Sequence, residues 1–215
     1  MIKACLFDLD GVIVDTAKYH YIAWKELASE MGFEFTLEHN ERLKGVSRMA
    51  SLDILLEIGG VTKSTQEKEE LADRKNEHYL SFILQMKPDE ILPGAKEFLT
   101  ECKKNGIATA LGSASKNAMT ILERLELTKY FDAIIDGTNT TKAKPDPEVF
   151  LKGAEALNVP ASTCVVFEDA EAGVEAAISA GMKCVGIGSP SILSKANMVV
   201  SGLDKIKLQD IIKLQ

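Results

Sequence analysis

Apolar and polar positions along the chain fall into two regimes. Residues 1–14 and 93–215 alternate short apolar runs with stretches of helical periodicity, whereas residues 15–92 show helical periodicity alone. In the first regime Ile2–Phe7, Ile107–Leu111, Ala133–Ile135, Cys164–Phe167, Cys184–Ile187 and Met198–Val200 read as buried strands. Between them Ala95–Lys104, Asn117–Leu125, Pro147–Leu157 and Glu171–Ala180 read as helices, and Leu208–Leu214 closes the pattern. Pro147 stands at a first helical turn, where its missing N–H is harmless. Repeated strand–helix units of this kind specify a parallel sheet covered on both faces.

In the second regime the spacing predicts helices over Thr16–Met31, Leu37–Leu43, Arg48–Ile58 and Ser64–Met86. Gly32 and Gly59-Gly60 act as stops, and Ser64 with Glu67 forms a capping box. The expected fold is therefore α/β: a doubly wound parallel (Rossmann-like) core of residues 1–14 and 93–215, with an inserted α-helical domain over 15–92. The joints are expected near Val14-Asp15 and Ile91-Leu92-Pro93.

Composition changes this picture only by exclusion. A formal charge of −7 and a pI near 5.1 argue against a nucleic-acid or anionic-membrane surface, though not against a small anion in a local basic pocket. No apolar stretch approaches the roughly 18 residues that a membrane helix needs, and the first residues reach Asp8 and Asp10 too soon for a secretory signal. Cys5, Cys102, Cys164 and Cys184 are widely spaced with no C-x-x-C pair, so reduced thiols and a cytoplasmic location are expected. No long apolar helix face demands a partner, and a monomer is expected.

The chemistry gathers at strand ends, where doubly wound sheets bind ligands. Asp8 and Asp10 follow the first strand in Phe7-Asp8-Leu9-Asp10-Gly11-Val12-Ile13-Val14-Asp15-Thr16, on one face if the extended geometry lasts that far. Converging carboxylates there repel unless a cation or a shared proton lies between them. Glu168-Asp169 ends another strand and suits either a helix N-terminus or, beside Asp8 and Asp10, an oxygen-ligand Mg²⁺ site. Ser113-Ala114-Ser115-Lys116-Asn117 opens a helix with hydroxyls, backbone N–H groups and a lysine, which reads as an anion site or as an ordinary cap. Lys144 precedes Pro145 at the next loop.

Asp8-Leu9-Asp10-Gly11-Val12, Ser113, Lys144-Pro145 and Glu168-Asp169 with Ala170-Glu171-Ala172-Gly173 occur in the order of the haloacid dehalogenase superfamily, which the chain resembles over essentially its whole length. Leu43-Lys44-Gly45-Val46-Ser47-Arg48, Ser113–Asn117, Asp15-Thr16, His20 and Trp24 further resemble the β-phosphoglucomutase family. That resemblance implies a cap domain and interconversion of β-D-glucose 1-phosphate and glucose 6-phosphate, with β-glucose 1,6-bisphosphate as activating intermediate. It implies Asp8 as nucleophile and Asp10 as general acid and base, with Ser113 and Lys144 holding the transferring phosphoryl group. The implied Mg²⁺ ligands are the Asp8 carboxylate, the Asp10 backbone carbonyl, Glu168 and Asp169. Arg48 with Ser115, Lys116 and Asn117 would hold the second phosphate, and Ala114 lies in the same loop. Leu43, Lys44, Gly45, Val46, Ser47, Ser51 and Lys75 would shape the sugar pocket, with Thr16, His20 and Trp24 nearby.

The partner implied is thus a small sugar phosphate. A superfamily phosphatase acting on small phosphate monoesters is the alternative. A dehalogenase would leave Asp10 and the metal acids without a task, and an inactive sensor would show eroded motifs, whereas these are intact. His39 and His78 read as surface residues.

Overall fold

Six apolar runs become the strands β1 (Ala4–Phe7), β2 (Ala108–Gly112), β3 (Ala133–Ile135), β4 (Cys164–Glu168), β5 (Lys183–Ile187) and β6 (Met198–Val200). The structure, a computed structural model, describes residues 1–43 and 46–214. Every strand pair is parallel, in the order β3-β2-β1-β4-β5-β6. β1 therefore lies between β2 and β4, with Phe7 level with Leu111 on one side and Phe167 on the other. The chain winds from β1 first one way and then the other, so the switch in winding direction falls at the C-terminal end of β1.

The sheet is covered by α5 (Ala95–Lys104), α6 (Ala118–Arg124), α7 (Glu148–Ala156) and α8 (Glu171–Ser179), and α9 (Leu208–Ile212) follows β6. Leu6, Ala110 and Val166 from the strands pack with Val149, Phe150, Val174 and Ala177 from α7 and α8. Phe7 stacks on Phe167 at 4.7 Å, and Phe98 of α5 meets Phe167 edge-on at 5.2 Å. At Gly153 and Gly112 helix and strand approach closely: a Cβ at the first would meet Leu6, and at the second Phe150.

The chain divides into two compact units, Met1–Asp15 with Lys87–Gln215, and Thr16–Met86. In the first, Val14 bridges both Asp10 and Ile91, so the segment around Ile91 joins the α/β unit as a short extended piece. Helical periodicity does not report such a bridge. The second unit holds α1 (Ala17–Glu30), α2 (Leu37–Glu41), α3 (Arg48–Gly59) and α4 (Thr65–Ile83). Trp24, Leu27, Phe35, Leu52, Leu55 and Leu56 form its core. The Ser64–Glu67 capping box is present: Glu67 N–H donates to Ser64 Oγ at 3.3 Å, and Ser64 N–H to Glu67 Oε2 at 2.8 Å. α4 ends at Ile83 rather than Met86, and β1 starts at Ala4 rather than Ile2. Among the described residues no helix is long and apolar enough to cross a membrane.

Candidate active site

Asp8 leaves the sheet where β1 stops: its N–H still donates to Phe167 O at 2.9 Å. A tight turn follows, in which the N–H groups of Ile13 and Val14 donate to Leu9 O and that of Gly11 to Val14 O. Gly11 sits at φ +75°, and a Cβ there would overlap the Asp169 carboxylate. The turn thus needs glycine both for its backbone and to leave room for an acid from β4's far end. Asp10 lies in this turn, half-buried, and Glu168 and Asp169 join Asp8 in a group of three carboxylates. One oxygen from each of Asp8, Glu168 and Asp169 lies within 4.8 Å of the others. This all-oxygen set suits a hard divalent cation.

Lys144 enters the same cluster from the loop before α7, where its peptide bond to Pro145 is cis. Its Nζ donates to Asp8 Oδ1 at 2.6 Å and to Glu168 Oε1 at 2.5 Å, and it lies 4.9 Å from the Phe150 ring centroid. Burial pushes the Asp8 carboxyl up to about 7; Lys144 pulls the other way, and Glu168 and Asp10 add to the rise. Burial also works against the Lys144 ammonium, but Asp8 and Glu168 outweigh it, so its pKa is raised. The cluster therefore holds a permanently charged cation beside a carboxylate that is reluctant to ionise without further positive charge.

Ser113 follows β2 and is buried, and its N–H donates to Ile135 O at 3.0 Å. Ser113 Oγ accepts from Ser115 N–H at 3.1 Å, and Ser115 Oγ accepts from Asn117 N–H at 3.2 Å. A hydroxyl that accepts still has a proton to donate, so both serines can face an anion. Lys116 is exposed, while Ala114 and Asn117 are half-buried.

In the helical unit, Thr16, the N-cap of α1, and His20 and Trp24 on that helix repeat every four residues, and Lys75 and Tyr79 do so on α4. Lys75 Nζ lies 2.7 Å from His20 Nδ1. An ammonium can only donate, so Nδ1 accepts and Nε2 carries the ring proton. His20 stacks on Tyr79 at 4.1 Å, Tyr79 Oη donates to Thr16 Oγ1 at 3.2 Å, and Lys75 Nζ lies 4.5 Å over Trp24. Trp24 is a core residue, 2% exposed, that also forms a wall for the ammonium. Arg48 Nη2 donates to Asn76 Oδ1 at 2.7 Å, and its Nη1 lies 3.8 Å from Asp73. Leu43 and Ser51 are buried, Val46 is half-buried, and Ser47 caps α3 by accepting from Ala50 N–H at 3.3 Å. Lys44 and Gly45 lie outside the described residues.

Sequence reasoning passed over Tyr79 and Asn76, although the i, i+4 step from Lys75 points to Tyr79. The two histidines expected at the surface are half-buried and have structural work: His39 accepts Thr36 N–H in the cap of α2, and His78 pairs with Glu26 at 2.6 Å.

Burial, then the charges of Lys75 and Arg48, hold His20 well below its ordinary value of 6.5. The unfolded chain takes up a proton there as pH falls through 6.5, whereas the folded chain resists, so stability is lost below that value. His20→Gln is expected to flatten this acid loss, read as melting temperature between about pH 8 and pH 5. Parallel profiles for the two proteins would assign the acid sensitivity elsewhere.

Comparison with known proteins identifies the family. The family model described as haloacid dehalogenase-like hydrolase matches residues 2–181. A β-phosphoglucomutase of Bacillus subtilis is 45% identical over 209 residues, covering 96% of this chain and 92% of the relative. A Thermotoga maritima protein named phosphorylated carbohydrates phosphatase is 34% identical, covering 84% of this chain and 82% of its own. The crystal structure of a β-phosphoglucomutase from Clostridium difficile superposes with a TM-score of 0.95 at 44% identity, over 100% of this chain and 97% of that one. The chain belongs to the haloacid dehalogenase-like hydrolase family.

Proposed function

We propose that the chain is a Mg²⁺-dependent β-phosphoglucomutase that interconverts β-D-glucose 1-phosphate and D-glucose 6-phosphate through β-glucose 1,6-bisphosphate. The observation that carries this reading is the 45% identity to the Bacillus subtilis β-phosphoglucomutase over 96% of the chain. The buried Asp8–Lys144–Glu168 group supports it, because a nucleophile of this kind must meet a phosphate anion beside fixed positive charge.

An Asp8 oxygen attacks phosphorus and the sugar oxygen leaves, taking a proton from Asp10. In the return half, Asp10 takes the proton of the other hydroxyl, whose oxygen attacks the aspartyl phosphate and frees the Asp8 carboxylate. Lys144 and the Ser113 hydroxyl hold the transferring oxygens, and little covalent help is needed beyond alignment. The Ser115, Lys116, Asn117 and Arg48 groups bind the phosphate at the other end of the bisphosphate. His20 and Lys75 bind the sugar, and the helical unit acts as a cap that excludes water while Asp10 is aligned.

The carboxylates of Asp8, Glu168 and Asp169 fit Mg²⁺ in donor chemistry, and the Asp10 backbone carbonyl would complete the protein's share. When bound, the ion neutralises charge on the phosphoryl oxygens and favours the ionised Asp8. Gly173 supports this set from below, since a Cβ there would overlap the Glu168 carboxylate, which Ala170 N–H holds at 2.9 Å. Gly173→Ala is expected to weaken Mg²⁺ binding by about 10-fold or more, measured by calorimetric titration of the ion into both proteins. Equal affinities would show that the added methyl leaves Glu168 in place.

The function is tested with β-D-glucose 1-phosphate, Mg²⁺ and a trace of bisphosphate. Rapid formation of glucose 6-phosphate is expected; release of inorganic phosphate as the main product would overturn the mutase in favour of a phosphatase.

A further inference from the structure

The turn after β3 presses against the loop that follows β2. Gly137 N–H donates to Ser115 O at 3.2 Å, one step beyond the Ser113 N–H to Ile135 O bond that ends the β2–β3 ladder. A Cβ on Gly137 would collide with the carbonyl oxygen of Ala114 and lie 3.0 Å from both N and Cγ of Lys116. Gly137 is not in the left-handed region, so its need for glycine is one of space rather than of backbone conformation.

The turn itself is well anchored. Asp136 is buried, and its Oδ1 accepts from Thr138 N–H at 2.8 Å and from Thr138 Oγ1 at 2.5 Å. Asp136 N–H donates to Asn139 Oδ1 at 3.0 Å, and Lys152 of α7 donates to Asn139 O at 2.5 Å. A methyl group at 137 would therefore displace the Ala114–Lys116 backbone more readily than the turn that carries it, since tight packing yields on its less anchored side.

We propose that Gly137 is a positioning residue for the phosphate loop: by lacking a side chain it lets the Asp136–Thr140 turn clamp Ala114–Lys116, and so sets the place of the Ser115, Lys116 and Asn117 groups that take the distal phosphate. This rests on the mutase reading above. The clamp touches the loop beyond Ser113, whose own N–H is fixed by Ile135 O, so it acts chiefly on the distal phosphate and less on transfer to Asp8.

Gly137→Ala is expected to raise the concentration of β-glucose 1,6-bisphosphate needed for half-maximal glucose 6-phosphate formation by about 10-fold or more. With acetyl phosphate, a donor carrying one phosphate, the rate of acetate release is expected to change less than about 2-fold. Thr138→Val, at an exposed position, loosens the same turn and is expected to show the same split at about 3-fold, which keeps the test open if alanine at 137 impairs folding. An unchanged bisphosphate requirement in the variants, or an equal loss with both donors, overturns the inference. A wild-type chain that makes no glucose 6-phosphate instead overturns the mutase reading, and the inference with it.

Discussion

Asp8→Asn is expected to lower phosphoryl transfer by at least about 10⁴-fold, because the amide oxygen cannot form the acyl phosphate and nothing else in the cluster can replace it. Asp10 sits in the following turn, Glu168 is pinned by Lys144 and Ala170, and Asp169 packs over Gly11. The substitution also separates catalysis from folding. The cluster of Asp8, Glu168 and Lys144 holds two carboxylates and one ammonium, and asparagine leaves the neutral Lys144–Glu168 pair intact. The variant should therefore melt close to the wild type in the absence of metal, and still bind a sugar phosphate. The measurement is single-turnover labelling of the protein from bisphosphate, followed as the covalent phosphate adduct by intact mass. An adduct in Asp8→Asn at the wild-type rate would place the nucleophile elsewhere.

Much of this arrangement was legible in the chain because each part has a local cause. Short apolar runs such as Cys164-Val165-Val166-Phe167 suit strands of a covered sheet, and β4 forms there. Gly32 and the Ser64–Glu67 box mark helix ends through backbone geometry that the residues themselves impose, and α1 and α4 stop and start there. Strand-end acids point to one place once the sheet is known to be parallel, and Asp8, Glu168 and Asp169 meet there. The Ile91–Val14 bridge was not legible, since a two-residue pairing between distant segments leaves no periodicity behind.

The site's finer parts were hidden for a related reason. Gly11, Gly137 and Gly173 matter through atoms they lack, and the neighbours that would collide come from other loops or from a folded-back side chain. Lys144 as a surface lysine is the ordinary expectation for its type, yet Phe150 and two acids bury it. Trp24 is core and pocket wall at once, which an apolar face on a helix cannot distinguish beforehand. What the chain hides is therefore mostly the contact between sequence-distant segments, and what it displays is the placement of charge at strand ends.

Lys144→Met tests that placement most sharply, because Lys144 serves stability and chemistry through the same two contacts. Its side chain is 2% exposed and its partners are 11% and 1% exposed, so the ion group has little water to fall back on. Methionine fills a similar volume against Phe150 but leaves Asp8 and Glu168 facing each other without a cation. Removing one partner from a buried ion group destabilises by about 3–5 kcal/mol, which corresponds to a fall in melting temperature of roughly 10 °C for a chain of this length. Lys144 is charged throughout the neutral range, but it also holds Asp8 down; without it the Asp8 carboxyl, already pushed up to about 7, takes a proton more readily in the folded variant, so the deficit should be larger at about pH 8 than at about pH 6. Because the missing charge is what destabilises the variant, Mg²⁺ should restore a larger part of its melting temperature than it adds to the wild type. Activity at saturating Mg²⁺ should still fall about 10²–10³-fold, since the ion does not replace the ammonium on the transferring oxygens. A variant that melts like the wild type in chelator would show that the two carboxylates have other support, and the role assigned to Lys144 in holding the metal-free cluster together would be withdrawn.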